Sequence, residues 1–168
     1  MKIGILGGSF DPAHKGHLAI SREAKKRFKL EKIIWAITKK NPLKAESKTT
    51  ISKKIKDCKK IIGLNSFIKV KFYENIIKSN KTIDLINYLK KNKNIEIFFL
   101  MGADNLISFH KWHKSKLISQ KCNIIVFDRH GYKKNSLKSK TFKRLNKKTL
   151  TFVEFKKVNI SSSQLRKI

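Results

Sequence analysis

Two histidines three positions apart, His14 and His17, are the residues of this chain best suited to phosphate chemistry. They follow Gly7 and Gly8 in the run GGSFDPAHKGH, directly after an apolar stretch near the start of the chain. A glycine turn between a first strand and a helix is where α/β proteins bind phosphate, because the backbone approaches closely and the helix N-terminus favours anions. An imidazole there adds a hydrogen-bond donor for a charged oxygen. The run therefore predicts a site that does chemistry on phosphate groups.

These histidines have two other interpretations. They can simply cap the helix, as a lone HxxH pair at a turn commonly would. The same spacing recurs at His110 and His113, so four imidazoles could in principle hold zinc. Zinc sites generally recruit a thiolate or carboxylate as well, and Cys58 and Cys122 are far apart without a CxxC partner. We therefore predict no metal site built from protein ligands, and no disulfide framework.

Length and hydropathy narrow the class of protein. With 168 residues, the chain has the size of one ordinary domain, and we expect residues 1–168 to form a single domain. No apolar run has membrane-spanning length, and the first residues read as a strand rather than a leader. Together with the sparse cysteines, this favours a cytoplasmic protein without a membrane partner.

The charge balance has two explanations. The chain carries 41 lysine and arginine residues against 11 aspartate and glutamate residues, a net charge of +30. Such a balance is typical of nucleic-acid binding, but the basic residues are spread along the whole chain and only five are arginine, the residue that base readers favour. Abundant lysine, isoleucine and asparagine also share A/T-rich codons, so a genomic base bias explains the excess better. We expect no specific nucleic-acid partner, while anionic substrates are attracted in either case.

Short apolar runs rich in β-branched and aromatic residues alternate with segments of helical period. The strand candidates are residues 2–6, 32–37, 68–73, 95–101, 123–127 and 150–155, and the helix candidates are 16–28, 50–62, 82–91, a short pair within 105–120, 139–145 and 161–167. Within the lysine-dense stretch 132–148, Leu137, Phe142 and Leu145 offer an apolar edge to a helix. Strands separated by helical crossovers predict an α/β fold with one doubly wound, mostly parallel sheet and helices on both faces.

Polar residues cluster directly after three of the predicted strands. The histidine turn follows the first strand, Asn41 and Lys44 follow the second, and the segment GADN, residues 102–105, follows the fourth. In a doubly wound sheet these positions share the carboxyl edge, and ligands bind where the strand order reverses. If the first and fourth strands are neighbours there, residues almost a hundred positions apart line one crevice.

Two further signals lie outside the opening turn. Trp112, among polar neighbours after the fourth strand, is suited to stacking on a planar heterocycle, although packing against Phe109 and Leu117 is the usual fate of such a residue. Trp35 lies inside a strand pattern and is assigned to the core. Near the end of the chain, serines that open a helix can donate to an anion and Arg166 can reach the same phosphates. A plain N-cap is the alternative for these serines when they are taken alone, but together with the opening turn they favour phosphate binding.

The motifs together resemble those of a known family. GSFDP followed by HKGH, residues 8–17, is similar to the signature of the nucleotidylyltransferase superfamily, and ISSSxLR, residues 160–166, is similar to its second signature. The segments NPxK at 41–44, MGADNL at 101–106 and FHxW at 109–112 resemble one branch, the bacterial nicotinate-nucleotide adenylyltransferases. The resemblance covers essentially the whole chain and implies the Rossmann-like fold of that superfamily.

The resemblance implies transfer of AMP from ATP to nicotinate mononucleotide, giving nicotinate adenine dinucleotide and pyrophosphate, with Mg²⁺ accompanying ATP and no covalent intermediate. It implies that His17 contacts the α-phosphate, His14 the neighbouring phosphates, and Asp104 the ATP ribose. The implied catalytic residues are His14, His17 and Arg166; the implied ATP-binding residues are Gly7, Gly8, Ser9, Phe10, Gly16, Gly102, Asp104, Ser161, Ser162 and Ser163; and the implied nicotinate-nucleotide-binding residues are Asn41, Lys44, Thr82, His110 and Trp112. Either a monomer or a homodimer is compatible with these motifs.

The chain also departs from the pattern of that branch. Lys53, Lys54 and Lys56 stand where relatives commonly show an arginine, and residues 79–82 lack the tyrosine often found before the matching threonine. Two rival functions remain. A sister enzyme such as phosphopantetheine adenylyltransferase shares the end motifs, but a pantetheine arm needs no stacking platform. A basic module that binds nucleic acid is the more remote alternative.

Overall fold

The computed structural model describes residues 1–39, 48–128, 133–145 and 147–154. The strands are β1 (Lys2–Gly8), β2 (Lys32–Ile37), β3 (Ile68–Lys71), β4 (Glu96–Gly102), β5 (Asn123–Asp128) and β6 (Leu150–Glu154). The helices are α1 (Lys15–Phe28), α2 (Ile51–Ile62), α3 (Glu74–Ile77), α4 (Thr82–Leu89), α5 (Ala103–Ser108), α6 (Ser115–Lys121), α7 (Lys133–Lys138) and α8 (Lys140–Arg144), with 3₁₀ turns at Phe109–Lys111 and Lys147–Thr149. All six predicted strands are therefore present.

The six strands form one parallel sheet in the order β3-β2-β1-β4-β5-β6. Ile5 of β1 is in register with Ile34 of β2 on one side and with Phe99 of β4 on the other. β2 and β3 therefore extend the sheet on one side of β1, and β4, β5 and β6 extend it on the other side. This reversal is a topological switch point, where a crevice opens beyond the carboxyl ends of the strands. The first and fourth strands are neighbours, which is the condition for residues distant in sequence to line one crevice.

Side chains that alternate along the central strands fill two cores, one on each face of the sheet. On one face, Leu6, Trp35 and Phe98 pack with residues of α1 and α2. On the other face, Ile34 and Phe99 pack with residues of α4, α5 and α6. The predicted doubly wound α/β architecture is confirmed, because helices cover both faces of a sheet buried on both sides.

The lysine-dense stretch differs from the prediction in how it is anchored. The predicted helix over 139–145 is present as α8, with Ser139 as its N-cap, and a second short helix that was not predicted, α7, precedes it. Of the predicted apolar edge, Leu145 is buried in the core and Phe142 contacts Phe152, but Leu137 is exposed. Ser136 and Thr141 are fully buried and form hydrogen bonds to backbone carbonyls of α5. Hydrogen bonding therefore supplies an anchor that an apolar pattern does not reveal. The four-residue helix α3 had no sequence signal either, because one turn of helix has no measurable period.

None of the helices in the described ranges combines the length and the apolar character that crossing a membrane requires. The predicted terminal helix over 161–167 lies outside the described residues.

Close packing around Gly4 in β1 yields a prediction about stability. A Cβ atom at Gly4 would lie 2.9 Å from Leu30 Cδ1 and 3.0 Å from Ile33 Cγ1, and both neighbours are buried. We expect Gly4→Ala to lower the free energy of unfolding by about 1–3 kcal/mol, because the packed core must shift to accept the methyl group. Urea denaturation measures this change.

Gly7→Ala is the matched control for that experiment. A Cβ atom at Gly7 would meet Phe99 Cζ at 3.5 Å, which is ordinary van der Waals contact. Its free energy of unfolding should stay within about 0.5 kcal/mol of wild type. Equal losses in the two variants would contradict the packing argument.

Candidate active site

The histidine turn is built by reciprocal capping of α1. His14 is the N-cap residue, and its Nδ1 accepts a hydrogen bond from the Gly16 N–H at 3.0 Å. The His14 N–H in turn donates to His17 Nδ1 at 3.1 Å. This is a capping box in which both side-chain partners are imidazoles. The two rings lie 3.9 Å apart between centroids.

This capping determines which ring nitrogen carries a proton. Because Nδ1 of His14 and Nδ1 of His17 both accept backbone N–H groups, a neutral ring at either position carries its proton on Nε2. Each imidazole is therefore a hydrogen-bond donor through Nε2. The capping interpretation and the phosphate interpretation of the histidines are thus compatible, since one nitrogen serves each role.

Aromatic packing below the turn holds His17 in place. Phe10 is buried and lies 4.7 Å from the His17 ring and 5.1 Å from Trp35, with which it stacks. Trp35 Nε1 donates to Ser21 Oγ at 2.8 Å, and Ser21 Oγ donates to the His17 carbonyl at 2.8 Å. Trp35 is therefore a core residue, as predicted. It is also linked through Ser21 to the backbone of a candidate site residue, which the sequence pattern did not reveal.

The end of β4 supplies the second half of the crevice. Gly102 is its last residue and the N-cap of α5, and the exposed Asp104 lies in the first turn of that helix. Ser136 Oγ, which is buried, donates to the carbonyl of Ala103 at 2.8 Å and so fixes the start of α5. Because β1 and β4 are neighbours, this helix start lies at the same edge of the sheet as the histidine turn.

Trp112 connects the two halves through Phe99. The indole is half-buried and makes edge-to-face contacts with Phe109 at 5.0 Å and with Phe99 at 5.9 Å between ring centroids. Phe99 is also the residue that a Cβ at Gly7 would touch. Trp112, Phe99 and Gly7 therefore form one neighbourhood across the β1–β4 pair. The core contact with Phe109 is present, and the indole still has solvent-accessible surface for stacking.

His110 is tied to α8. Its backbone N–H donates to Thr141 Oγ1 at 2.9 Å, and its Nδ1 lies 3.1 Å from the Ile107 carbonyl. The same Nδ1 lies 2.9 Å from the Thr141 hydroxyl oxygen, which can donate as well as accept, so these contacts hold the ring against α8 whichever ring nitrogen carries its proton. The imidazole also lines a cleft of about 410 Å³ with Ser115, Lys116, Thr141 and Leu145. His110 thus has a structural partner, and its contact with a nucleotide stays a prediction.

Three polar residues that the sequence did not single out as a group meet at the end of β2. Thr38 donates through Oγ1 to Glu74 Oε1 at 2.5 Å, and its N–H donates to the Gly8 carbonyl at 2.9 Å. Lys54 is 0% exposed, and its Nζ donates to the Thr38 carbonyl at 3.3 Å. Of the lysines in the first turns of α2, Lys54 therefore lies at the edge of the site, whereas Lys53 is exposed and paired with Asp57.

Several predicted site residues are not tested by this geometry. Thr82 is the first residue of α4 and is half-buried. Asn41, Lys44, Ser161, Ser162, Ser163 and Arg166 lie outside the described residues. The proposal that the serines and Arg166 near the end of the chain bind the same phosphates as the histidine turn therefore stays a prediction.

The donor chemistry of the turn does not suit a resident metal ion. In the described ranges, no group of three or more histidine, cysteine, aspartate or glutamate side chains is placed to hold one. Mg²⁺ prefers carboxylate and phosphate oxygens, whereas this turn offers imidazoles and backbone N–H groups.

Burial raises the pKa of the Cys58 and Cys122 thiols to about 12, so both are protonated at neutral pH and neither is a nucleophile.

The fold and the switch-point crevice define a class of α/β proteins that bind nucleotides at this edge. Residues 5–168 match the family described as cytidylyltransferase-like, and the chain belongs to that family.

Individual relatives show to which branch of this family the chain is most similar. A Pelagibacter ubique (strain HTCC1062) protein named "Probable nicotinate-nucleotide adenylyltransferase" is 68% identical over 167 residues, covering 99% of this chain and 93% of that protein. A Clostridium botulinum (strain Eklund 17B / Type B) protein of the same name is 36% identical over 172 residues, covering 99% of this chain and 84% of its own. Within the family, the chain groups with the nicotinate-nucleotide adenylyltransferases.

A solved structure supports the fold. The Plasmodium falciparum nicotinic acid mononucleotide adenylyltransferase complexed with NaAD matches with a TM-score of 0.78 at 22% identity, covering 99% of this chain and 82% of that one. At this identity the match shows a shared fold.

Two substitutions of His14 separate the contribution of the helix cap from that of the imidazole ring. We expect His14→Ala to lower the free energy of unfolding by about 0.5–2 kcal/mol, because α1 loses the acceptor for the Gly16 N–H. His14→Asn restores an N-cap acceptor and should recover more than half of that loss. Guanidinium denaturation of the two variants measures the difference, and equal losses would show that the cap contributes little.

Proposed function

We propose that this chain joins ATP to nicotinate mononucleotide, releasing pyrophosphate, and that its histidine turn binds the reacting phosphates. The observation that carries the proposal is the reciprocal capping of His14 and His17 beside the β1–β4 switch point. It holds two Nε2 donors, 3.9 Å apart between ring centroids, where the fold class binds phosphate. The names of the relatives support the same reaction.

The reaction is an in-line exchange at phosphorus. A phosphate oxygen of nicotinate mononucleotide forms a bond to the α-phosphorus of ATP, and the bond from that phosphorus to the bridging oxygen of the β-phosphate breaks. Mg²⁺ enters with ATP as part of the substrate and leaves with pyrophosphate. Catalysis then depends on positioning and on donors aimed at oxygens that gain charge, since no thiol of this chain is available as a nucleophile.

Each residue of the turn has a separate task in this proposal. His17 donates to the α-phosphate as it becomes pentacoordinate, and His14 donates to the adjoining phosphates. Gly7 and Gly8 let the phosphates approach the end of β1, where Gly7 is exposed. The Phe10 side chain is buried below His17, so Phe10 contributes to ATP binding by supporting the ring and through its backbone.

The remaining expected residues complete the two substrate sites. Asp104 accepts hydrogen bonds from the ATP ribose beside Gly102, and Trp112 stacks on the pyridine ring. Ser161, Ser162, Ser163 and Arg166 hold the far phosphates, and Asn41, Lys44, Thr82 and His110 contact the mononucleotide. The net charge of +30 favours encounter with both anionic substrates.

Pyrophosphate release tests the reaction directly. Purified protein is incubated with ATP and Mg²⁺ and with nicotinate mononucleotide, nicotinamide mononucleotide or phosphopantetheine as the acceptor. We expect the fastest release with nicotinate mononucleotide. A preference for phosphopantetheine, or no release with any acceptor, would overturn the proposal.

His17 is expected to contribute chiefly to the chemical step. Loss of one preorganised donor to a developing charge should lower kcat/KM of His17→Ala by about 10²- to 10³-fold, with a much smaller effect on stability. His113→Ala, which removes an exposed imidazole elsewhere in the chain, should stay within about twofold of wild type. Steady-state kinetics with both substrates measures the change, and similar losses in both variants would contradict the assignment.

Trp112 is expected to contribute chiefly to mononucleotide affinity. Removing a stacking platform costs about 1–3 kcal/mol, so the KM of Trp112→Ala for nicotinate mononucleotide should rise by about 5- to 150-fold. Its KM for ATP should change little, and Trp112→Phe should restore part of the affinity. If Trp112→Ala instead unfolds and its folded fraction keeps the wild-type KM, the contacts with Phe99 and Phe109 are the whole role of this residue.

A further inference from the structure

A buried carboxylate oxygen at the carboxyl edge of β5 has no assigned role. Asp128 is the last residue of β5, one position beyond Phe127, which is in register with Gly102 of β4. Its Oδ1 atom is buried, and no group in the described residues forms a hydrogen bond with it. Leaving such an acceptor unpaired costs about 1–3 kcal/mol, so its position favours a donor that arrives with a ligand.

The order of the strands indicates which part of a ligand lies beside Asp128. β1, β4 and β5 are consecutive neighbours, so β5 lies two strand spacings, about 10 Å, from β1. The proposed function, on which this step rests, puts the ATP phosphates at the turn after β1 and the ribose at Asp104 after β4. A nucleotide that continues along this edge brings its base to β5. The base, rather than the sugar or the phosphates, is therefore the group next to Asp128.

The chemistry of the side chain then selects among the atoms of the base. A carboxylate only accepts hydrogen bonds and repels phosphate oxygens. Adenine carries one exocyclic donor, its 6-amino group. We infer that Asp128 accepts a hydrogen bond from the 6-amino group of ATP and makes this chain selective for a base that carries that group.

The test pairs a change in the protein with the matching change in the substrate. Wild type and Asp128→Ala are each assayed, with nicotinate mononucleotide as the acceptor, using ATP and purine ribonucleoside 5′-triphosphate, which lacks only the 6-amino group. For wild type we expect kcat/KM to be at least about tenfold higher with ATP, because the second substrate leaves the buried carboxylate unpaired. For Asp128→Ala the ratio should fall to about one. A purely structural role would lower both activities equally and leave the ratio unchanged.

Glu96→Ala is the control for loss of one negative charge. Glu96 is exposed at the opposite end of the sheet, as the first residue of β4, and its variant should keep the wild-type ratio. An unchanged ratio in Asp128→Ala would overturn the inference. A selective loss with 2′-deoxy-ATP or 3′-deoxy-ATP that disappears in Asp128→Ala would overturn it too, because Asp128 would then contact the ribose. No pyrophosphate release from wild type with ATP would instead mean that the proposed function itself is wrong.

Discussion

Parallel pairing of β1 with β4 is the interaction on which the rest of the molecule depends. The strands that precede β4 extend the sheet on one side of β1, and those that follow extend it on the other. The connections after β1 and β4 therefore leave toward opposite faces, and a crevice remains between them. Residues separated by about ninety positions, the histidine turn and the start of α5, meet there because Leu6 is in register with Leu100.

The histidine pair caps α1 and, in the proposed reaction, also binds the reacting phosphates. Donation by the Gly16 N–H to His14 and by the His14 N–H to His17 orients both rings before any ligand binds. The stack of Phe10 on Trp35 below them limits their movement further. Rings held in this way need little reorganisation when charge develops on a phosphate, which is the condition for effective electrostatic stabilisation.

The overall net charge and the few polar groups at the crevice act in different ways. The large net positive charge is long-ranged, nonspecific and screened by salt, so it favours encounter with anionic substrates without choosing among them. Selection must come from a few groups at the crevice. Asp128 is a carboxylate at the carboxyl edge of the sheet, in a strongly basic chain, and one of its oxygens is buried. Lys54 is a buried lysine that donates a hydrogen bond to the Thr38 carbonyl. Both are polar groups whose burial costs free energy, in contrast to the many exposed lysines.

The sequence alone predicts the six strands, most of the helices and the opening turn, because alternating apolar runs, helical periods and glycine signals are local properties of the chain. It also placed Trp35 in the core correctly. Three features come from tertiary packing: Ser136 and Thr141 anchor α7 and α8, Ser21 links Trp35 to His17, and one oxygen of Asp128 has no hydrogen-bond partner among the described residues. Apart from the bond between Ser21 and His17 within α1, these hydrogen bonds join residues that are not neighbours in the sequence, so no local pattern encodes them. They exist because packing brings a donor and an acceptor together where water cannot replace either one.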